Sequence, residues 1–181
     1  MTQDTSKPAS PLAVPANAAA GAMQIGIGPQ YIKDLSFESP NVPQVFAPTQ
    51  KAPEITLGVN VHTRPLKDAI LKDPQGGAPQ GAANEVLLSL KLEAKLEGKT
   101  AFIAELAYGG VFMFSPMPEE QMRALLLVEC PRILFPFARQ VLMNAVRDGG
   151  FPQVAINPID FGALYLANKN NIGSMPAVGA A

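Results

Sequence analysis

A run of strict two-residue alternation, followed by a glycine turn and a second extended run, occupies the middle of this chain. Leu88, Leu90, Leu92, Ala94 and Leu96 alternate with Ser89, Lys91, Glu93, Lys95 and Glu97, so a strand here carries aliphatic side chains on one face and mostly charged ones on the other. Glu97-Gly98-Lys99-Thr100 follows. Gly98 accepts positive φ without steric cost, and Ala101 to Tyr108 resumes the extended pattern, which predicts a tight hairpin between two directly paired strands. A chain with this centre builds an antiparallel sheet. Ile55, Leu57, Val59 and Val61 alternate with Glu54, Thr56, Gly58, Asn60 and His62 as another half-buried strand. Tyr31 to Glu38 supplies the last, with Leu35 and Phe37 opposite Asp34, Ser36 and Glu38.

Beyond the hairpin the period changes. Pro118 followed by Glu119 and Glu120 marks a helix start, since proline suits the first turn and acids there complement the helix dipole. This helix is expected to run to Val128 and to be interrupted by Pro131, with a second helix over Pro136 to Arg147 ending at Gly149-Gly150. Phe137, Val141 and Ala145 form one stripe of the second helix, and Ala138, Leu142 and Val146 its neighbour, enough apolar area to pack on the sheet. Asp160 is placed to cap a short final helix bearing Phe161, Leu164 and Tyr165. Strands followed by helices define an α+β fold, here a four-stranded antiparallel sheet with helices packed on one face. Arg64 to Asn84, rich in Gly, Pro, Gln and Ala, is expected to be an exposed excursion. Residues 1–28 read as a disordered extension and 170–181 as a flexible tail, which leaves one domain over 29–169.

Composition narrows the function. The formal net charge of the 181 residues is −1, which supplies no basic field for a phosphate backbone and argues against nucleic acid as a partner. The single cysteine, Cys130, cannot form an intrachain disulfide and reads as a buried apolar thiol. No run reaches the roughly 18 apolar residues that span a bilayer, and the proline-interrupted N-terminal stretch lacks a signal-peptide core. A cytoplasmic protein with no membrane insertion is expected.

The chemical motifs are fragments. Gly98-Lys99-Thr100 matches the end of a phosphate loop, but Glu93 stands where that loop needs its first glycine. Gly26-Ile27-Gly28 lacks the third glycine of a dinucleotide fingerprint and is followed by Pro29. His62 is the sole histidine and Cys130 the sole thiol, too few for the usual zinc set. Glu119 and Glu120 are accounted for by a helix start, and Glu85 and Glu93 by a charged strand face. No catalytic residue, metal or cofactor is expected; a small-molecule enzyme using Cys130 or His62 is the alternative from another class.

The block from Cys130 to Tyr165, CPRILFPFARQVLMNAVRDGGFPQVAINPIDFGALY, is long, apolar, aromatic and poor in reactive groups. Together with YIKDLSFESPNVPQVF at Tyr31 to Phe46 and FIAELAYGG at Phe102 to Gly110, it resembles the SecB family of protein-export chaperones. The resemblance implies an ATP-independent chaperone that binds unfolded secretory precursors and delivers them to the SecA motor. It also implies a homotetramer arranged as a dimer of dimers. On the same ground, SecA docks at Asp34, Glu38, Ile103 and Glu105, and clients occupy a groove bearing Ile55, Leu57, Val59 and Tyr165. Subunit contacts fall on Ala104, Leu106 and Tyr108. The near-neutral charge implies a weaker attraction to the motor than in strongly acidic members. Within this fold, a chaperone dedicated to one partner such as an antitoxin is the alternative.

Overall fold

The computed structural model describes residues 25–48, 51–66 and 82–168. One antiparallel sheet contains β1 (Ile25–Glu38), β2 (Glu54–Leu66), β3 (Ala82–Leu96) and β4 (Lys99–Phe114). Their spatial order is β1-β4-β3-β2, so β1 and β2 are opposite edges and the connection between them crosses the end of the sheet. Asn41 Nδ2 donates to the Thr100 carbonyl at 2.8 Å and Lys51 pairs with Glu97 at 3.2 Å, which ties that crossing to the hairpin of β3 and β4. Leu96 faces Lys99 across a two-residue turn in which Glu97 has φ 52° and Gly98 φ 79°. Positive angles at both positions are what a type I′ turn requires.

Each strand is longer than its alternation alone predicts. β1 begins at Ile25, so residues 25–28 belong to the sheet and not to an N-terminal extension. β4 runs through Gly109 and Gly110 to Phe114. These glycines are points of close approach: a Cβ on Gly109 would lie 2.7 Å from the Tyr31 ring, and one on Gly110 2.8 Å from Leu134. β2 reaches Leu66 and β3 starts at Ala82, which takes both ends of the expected excursion into the sheet. Pro65 is tolerated there because β2 is an edge strand. The remainder of that excursion, residues 1–24, residue 169 and the whole 170–181 tail lie outside the described residues.

Helices follow β4 as one continuous rod of α1 (Glu119–Ala124), a π turn (Leu125–Glu129) and α2 (Cys130–Asp148). The interruption expected at Pro131 does not occur. The Cys130 N–H reaches back to the Leu125 carbonyl, a widened turn of π geometry. Pro131 then falls in the first turn of α2, where a missing N–H costs least. Pro136 lies inside α2 with its ring exposed, instead of starting a helix. α2 ends in a Schellman motif: the Phe151 N–H bonds the Val146 carbonyl at 3.2 Å, the Gly150 N–H bonds that of Arg147 at 2.9 Å, and Gly150 takes φ 86°. α3 (Phe161–Asn168) starts from Asp160, whose Oδ1 accepts the Ala163 N–H at 2.9 Å.

α2 covers one face of the sheet. Leu134, Ala138, Leu142 and Val146 are fully buried against Leu88, Leu90 and Leu92 of β3 and Ala104, Leu106 and Phe112 of β4. Each such leucine contributes about 1.5–3 kcal/mol relative to exposure. Of the two stripes read from the sequence, the one with Ala138 turns inward, and Phe137 of the other is 51% exposed. Among the described residues no helix packs on the opposite face of β3 and β4, although Ala83, Glu85 and Val111 are buried at one end of it.

Candidate functional site

Antiparallel register decides which side chains share that open face. Asp34 lies opposite Ala107, Ser36 opposite Glu105 and Glu38 opposite Ile103. On the other side of β4, Ser89, Lys91 and Glu93 face the same three residues, and β2 extends the rows with Asn60, Gly58 and Thr56. Asp34, Glu38, Ile103 and Glu105 therefore fall on one surface across neighbouring strands, with the two β1 acids exposed and the β4 pair half-buried. Small residues at Gly58, Ser89 and Ala107 leave a shallow, open depression of about 430 Å³ beside Asp34, Lys91 and Glu105. Lys91 Nζ pairs with Glu105 Oε1 at 2.5 Å. The hydrogen bond and charge of Glu105, then the charges of Glu93 and Glu38, hold the Lys91 pKa above its ordinary value.

A second cluster on this face was not legible in the strand pattern. Glu85, which the alternation places among solvated strand acids, is only 6% exposed. Tyr31 Oη donates to its Oε1, Lys33 Nζ approaches the same oxygen at 3.1 Å, and Arg64 Nη2 pairs with Oε2 at 2.7 Å. One carboxylate on β3 thereby ties both edge strands together. Gly109 makes room for this, because the Tyr31 ring lies where its side chain would be. Desolvation pushes the Glu85 pKa up, but the Tyr31 and Lys33 hydrogen bonds and the Lys33 and Arg64 charges outweigh it and leave the carboxyl below its usual range. Burial first, then Glu85, pushes the Tyr31 hydroxyl up to about 12.

On the helix side, Ile55, Leu57 and Val59 face Ala94, Leu92 and Leu90. Leu57 and Val59 are half-buried against the core, while Ile55 is 39% exposed at the sheet edge. Tyr165 is half-buried on α3. The π turn packs against both β2 and α3, so the two halves of the expected groove converge there. Phe46, unassigned from the sequence, is largely exposed with its ring 5.1 Å from Phe151, whose ring is 4.8 Å from Phe102. The aromatic content of that segment was its only advance signal.

Ala104, Leu106 and Tyr108 require a correction. They are 0%, 2% and 9% exposed and lie beneath their own chain's helix, so they present no surface to a second subunit, and any influence on assembly passes through the seating of α2. Uncovered apolar side chains are found instead at Ile27, Ile32 and Leu35 of β1 and Phe137 of α2.

The residues considered for chemistry have unlike surroundings. Cys130 is fully buried, and desolvation, then Glu129, pushes its thiol up to about 12, which removes the thiolate a nucleophile needs. His62 is exposed, with Nε2 3.1 Å from Asn60 Nδ2. Gly98-Lys99-Thr100 is the hairpin tip and Gly26 to Gly28 are strand residues. Among the described residues, no group of three or more His, Cys, Asp or Glu side chains is placed to hold a metal ion. No described helix is long and apolar enough to cross a membrane.

Comparison with known proteins agrees with this geometry. The sequence profile of the family described as "Preprotein translocase subunit SecB" matches residues 18–171. The protein-export protein SecB of Granulibacter bethesdensis is 43% identical over 167 residues, covering 87% of this chain and 91% of the relative. That of a Bradyrhizobium species is 43% identical over 152 residues, covering 83% and 85%. Among solved structures, a SecB-like chaperone of Mycobacterium tuberculosis in complex with an antitoxin peptide shares the fold, with a TM-score of 0.50 at 13% identity over 75% of this chain and 87% of that one. On the profile and these relatives together, the chain belongs to the SecB family of protein-export chaperones.

Proposed function

We propose that this chain, a non-catalytic chaperone, holds unfolded secretory precursors in the cytoplasm on the helix side of its sheet and docks the SecA motor on the open side. The observation that carries this reading is the division of the sheet: Ile55, Leu57 and Val59 sit on the face that packs the helices, whereas Asp34, Glu38, Ile103 and Glu105 sit on the reverse. An extended client can add to the β2 edge through backbone hydrogen bonds and seat apolar side chains beside Leu57 and Tyr165, which recognises unfolded chain without reading a motif. Binding the unfolded state holds a precursor open by mass action, so neither ATP nor bond chemistry is needed. The acids around Ile103 suit a cationic docking partner. Exposed Ile27, Ile32, Leu35 and Phe137 favour closed self-assembly, here a homotetramer built as a dimer of dimers, and repetition of the groove strengthens the hold on a long client.

The test is refolding of a denatured precursor in the absence of nucleotide. The protein is expected to arrest refolding and to migrate with the precursor as one complex whose chaperone part has tetramer mass. Leu57→Ser with Tyr165→Ser is expected to weaken the arrest in a protein that still folds. Unimpeded refolding of every precursor tried overturns the proposal.

A further inference from the structure

We infer that Lys91 is an internal stand-in for the motor's cation: in the free protein it occupies Glu105, and a docking SecA must displace it. The inference rests on the docking reading above and deepens it. Across the three rows that align Asp34, Ser36 and Glu38 with β4, β3 and β2, Lys91 is the one cationic residue. It lies directly opposite Glu105 at 2.5 Å and two residues before Glu93 on its own strand. Glu93 is itself paired with Lys95 at 3.2 Å. The acids of this face are thus partly neutralised by the chain that carries them.

The pair is built to exchange. Lys91 and Glu105 side chains are 57% and 45% exposed, where ion pairs are weakly held and short-lived compared with buried ones. On the β2 side Lys91 faces Gly58, where even an added Cβ would be only in ordinary contact with it at 3.7 Å. The lysine stem therefore has space to swing into the adjoining depression once Glu105 is taken. A guanidinium from the partner can engage Glu105 with two parallel hydrogen bonds, which a single ammonium cannot match. A lysine from the partner exchanges like for like and gains little. Lys91 accordingly sets a threshold that favours an arginine-bearing docking segment over a merely basic one.

Removing Lys91 should tighten SecA docking about two- to five-fold, the scale of an exposed ion pair, and steepen its dependence on salt because one more carboxylate is free. The experiment is titration of the full-length protein with SecA purified from the same bacterium, at low and at physiological salt. The variants are Lys91→Met, Glu105→Gln, the two combined, and Arg132→Met, which deletes a positive charge from α2, where Arg132 pairs with Glu129. Tighter binding for Lys91→Met alone, unchanged binding for Arg132→Met, and a smaller gain from Lys91→Met when Glu105→Gln is present are expected. Equal gains for Lys91→Met and Arg132→Met would reduce the effect to net charge and overturn the inference, as would no gain. If Asp34→Lys with Glu38→Lys abolishes docking while Lys91→Met changes nothing, the docking surface stands and the role of Lys91 falls. If that double variant also binds normally, the docking reading itself has failed.

Discussion

The two faces of this sheet come from the same four strands and are held by different physics. On the helix side, residues from β3, β4 and α2 are buried almost completely, and the hydrophobic effect does the stabilising without directional requirements. On the open side, one carboxylate, Glu85, collects Tyr31, Lys33 and Arg64 from the two edges, and geometry is everything. The contrast bears on stability: the covered face and the Glu85 cluster fix the fold, while the exposed acids of the open face, Asp34 and Glu38, can vary their charge at little structural cost. Substitutions on each face should therefore fail differently.

The largest effect belongs to the covered face. Leu134→Ala removes a fully buried side chain that touches β4 at Gly110 and should cost about 2–5 kcal/mol in chemical denaturation. Client holding and motor docking should decline together, in proportion to the folded fraction. A loss of one activity at full folded population would break the comparison.

On the open face the largest effect should be Tyr31→Phe, which takes the phenol from a carboxylate that burial has deprived of water. A loss of about 1–2 kcal/mol is expected, a hydrogen bond to a charged acceptor in a partly exposed setting. The pH dependence carries the sign. Because the Tyr31 pKa is raised to about 12 in the folded state, its contribution is complete below about pH 10 and disappears as pH climbs from there through 12. Glu85, whose folded pKa is lowered, contributes above the ordinary carboxylate range and loses that contribution as pH falls through its folded value. Tyr31→Phe should flatten the alkaline arm between about pH 10 and 12 and move the acid unfolding midpoint upward. An unchanged alkaline arm would mean that the phenol is not coupled to folding.

The difference between the faces also explains what could be read in advance. Alternation at Leu88, Leu90 and Leu92 identified the covered face because burial follows a period of two, and the positive φ at Gly98 marked the hairpin because its chemistry is local. Asp160 was legible as a cap for the same reason. The Glu85 cluster was not, since Tyr31 and Glu85 are 54 residues apart and meet only when register and the gap at Gly109 are known. Pro131 misled because the compensating π turn depends on tertiary packing and has no sequence signal of its own. Asp34 could be placed on one face with Glu38, and Ile103 with Glu105, from spacing alone, but the engagement of Glu105 by Lys91 needed the pairing of β3 with β4.

A smaller effect is expected at α3, which lies on the helix side and rests on the π turn and, through Phe161, on Phe135 of α2. Asp160→Ala deletes the side-chain acceptor of the Ala163 N–H and should cost about 1 kcal/mol of helix stability. Hydrogen exchange of the α3 amides should quicken about five-fold with the β3 and β4 amides unaffected. If those strand amides quicken equally, α3 is part of the cooperative core, and Tyr165, proposed to line the groove, is anchored more firmly than its packing implies.

The smallest effect on stability, and the sharpest test of the comparison, is Asp34→Lys combined with Glu38→Lys. Both side chains are exposed on β1, and surface substitutions of this kind usually change stability by less than about 0.5 kcal/mol. Their effect on docking should be out of all proportion, because reversing two charges on the edge strand turns an acidic rim toward a cationic partner into a repulsive one. Denaturation should give a curve close to that of the unmodified protein, refolding arrest of a precursor should persist, and SecA binding should disappear at physiological salt. If arrest fails along with SecA binding while the denaturation curve is unchanged, clients also use the open face. The division of labour between the two sides of the sheet would then be wrong, even though the fold that motivates it is intact.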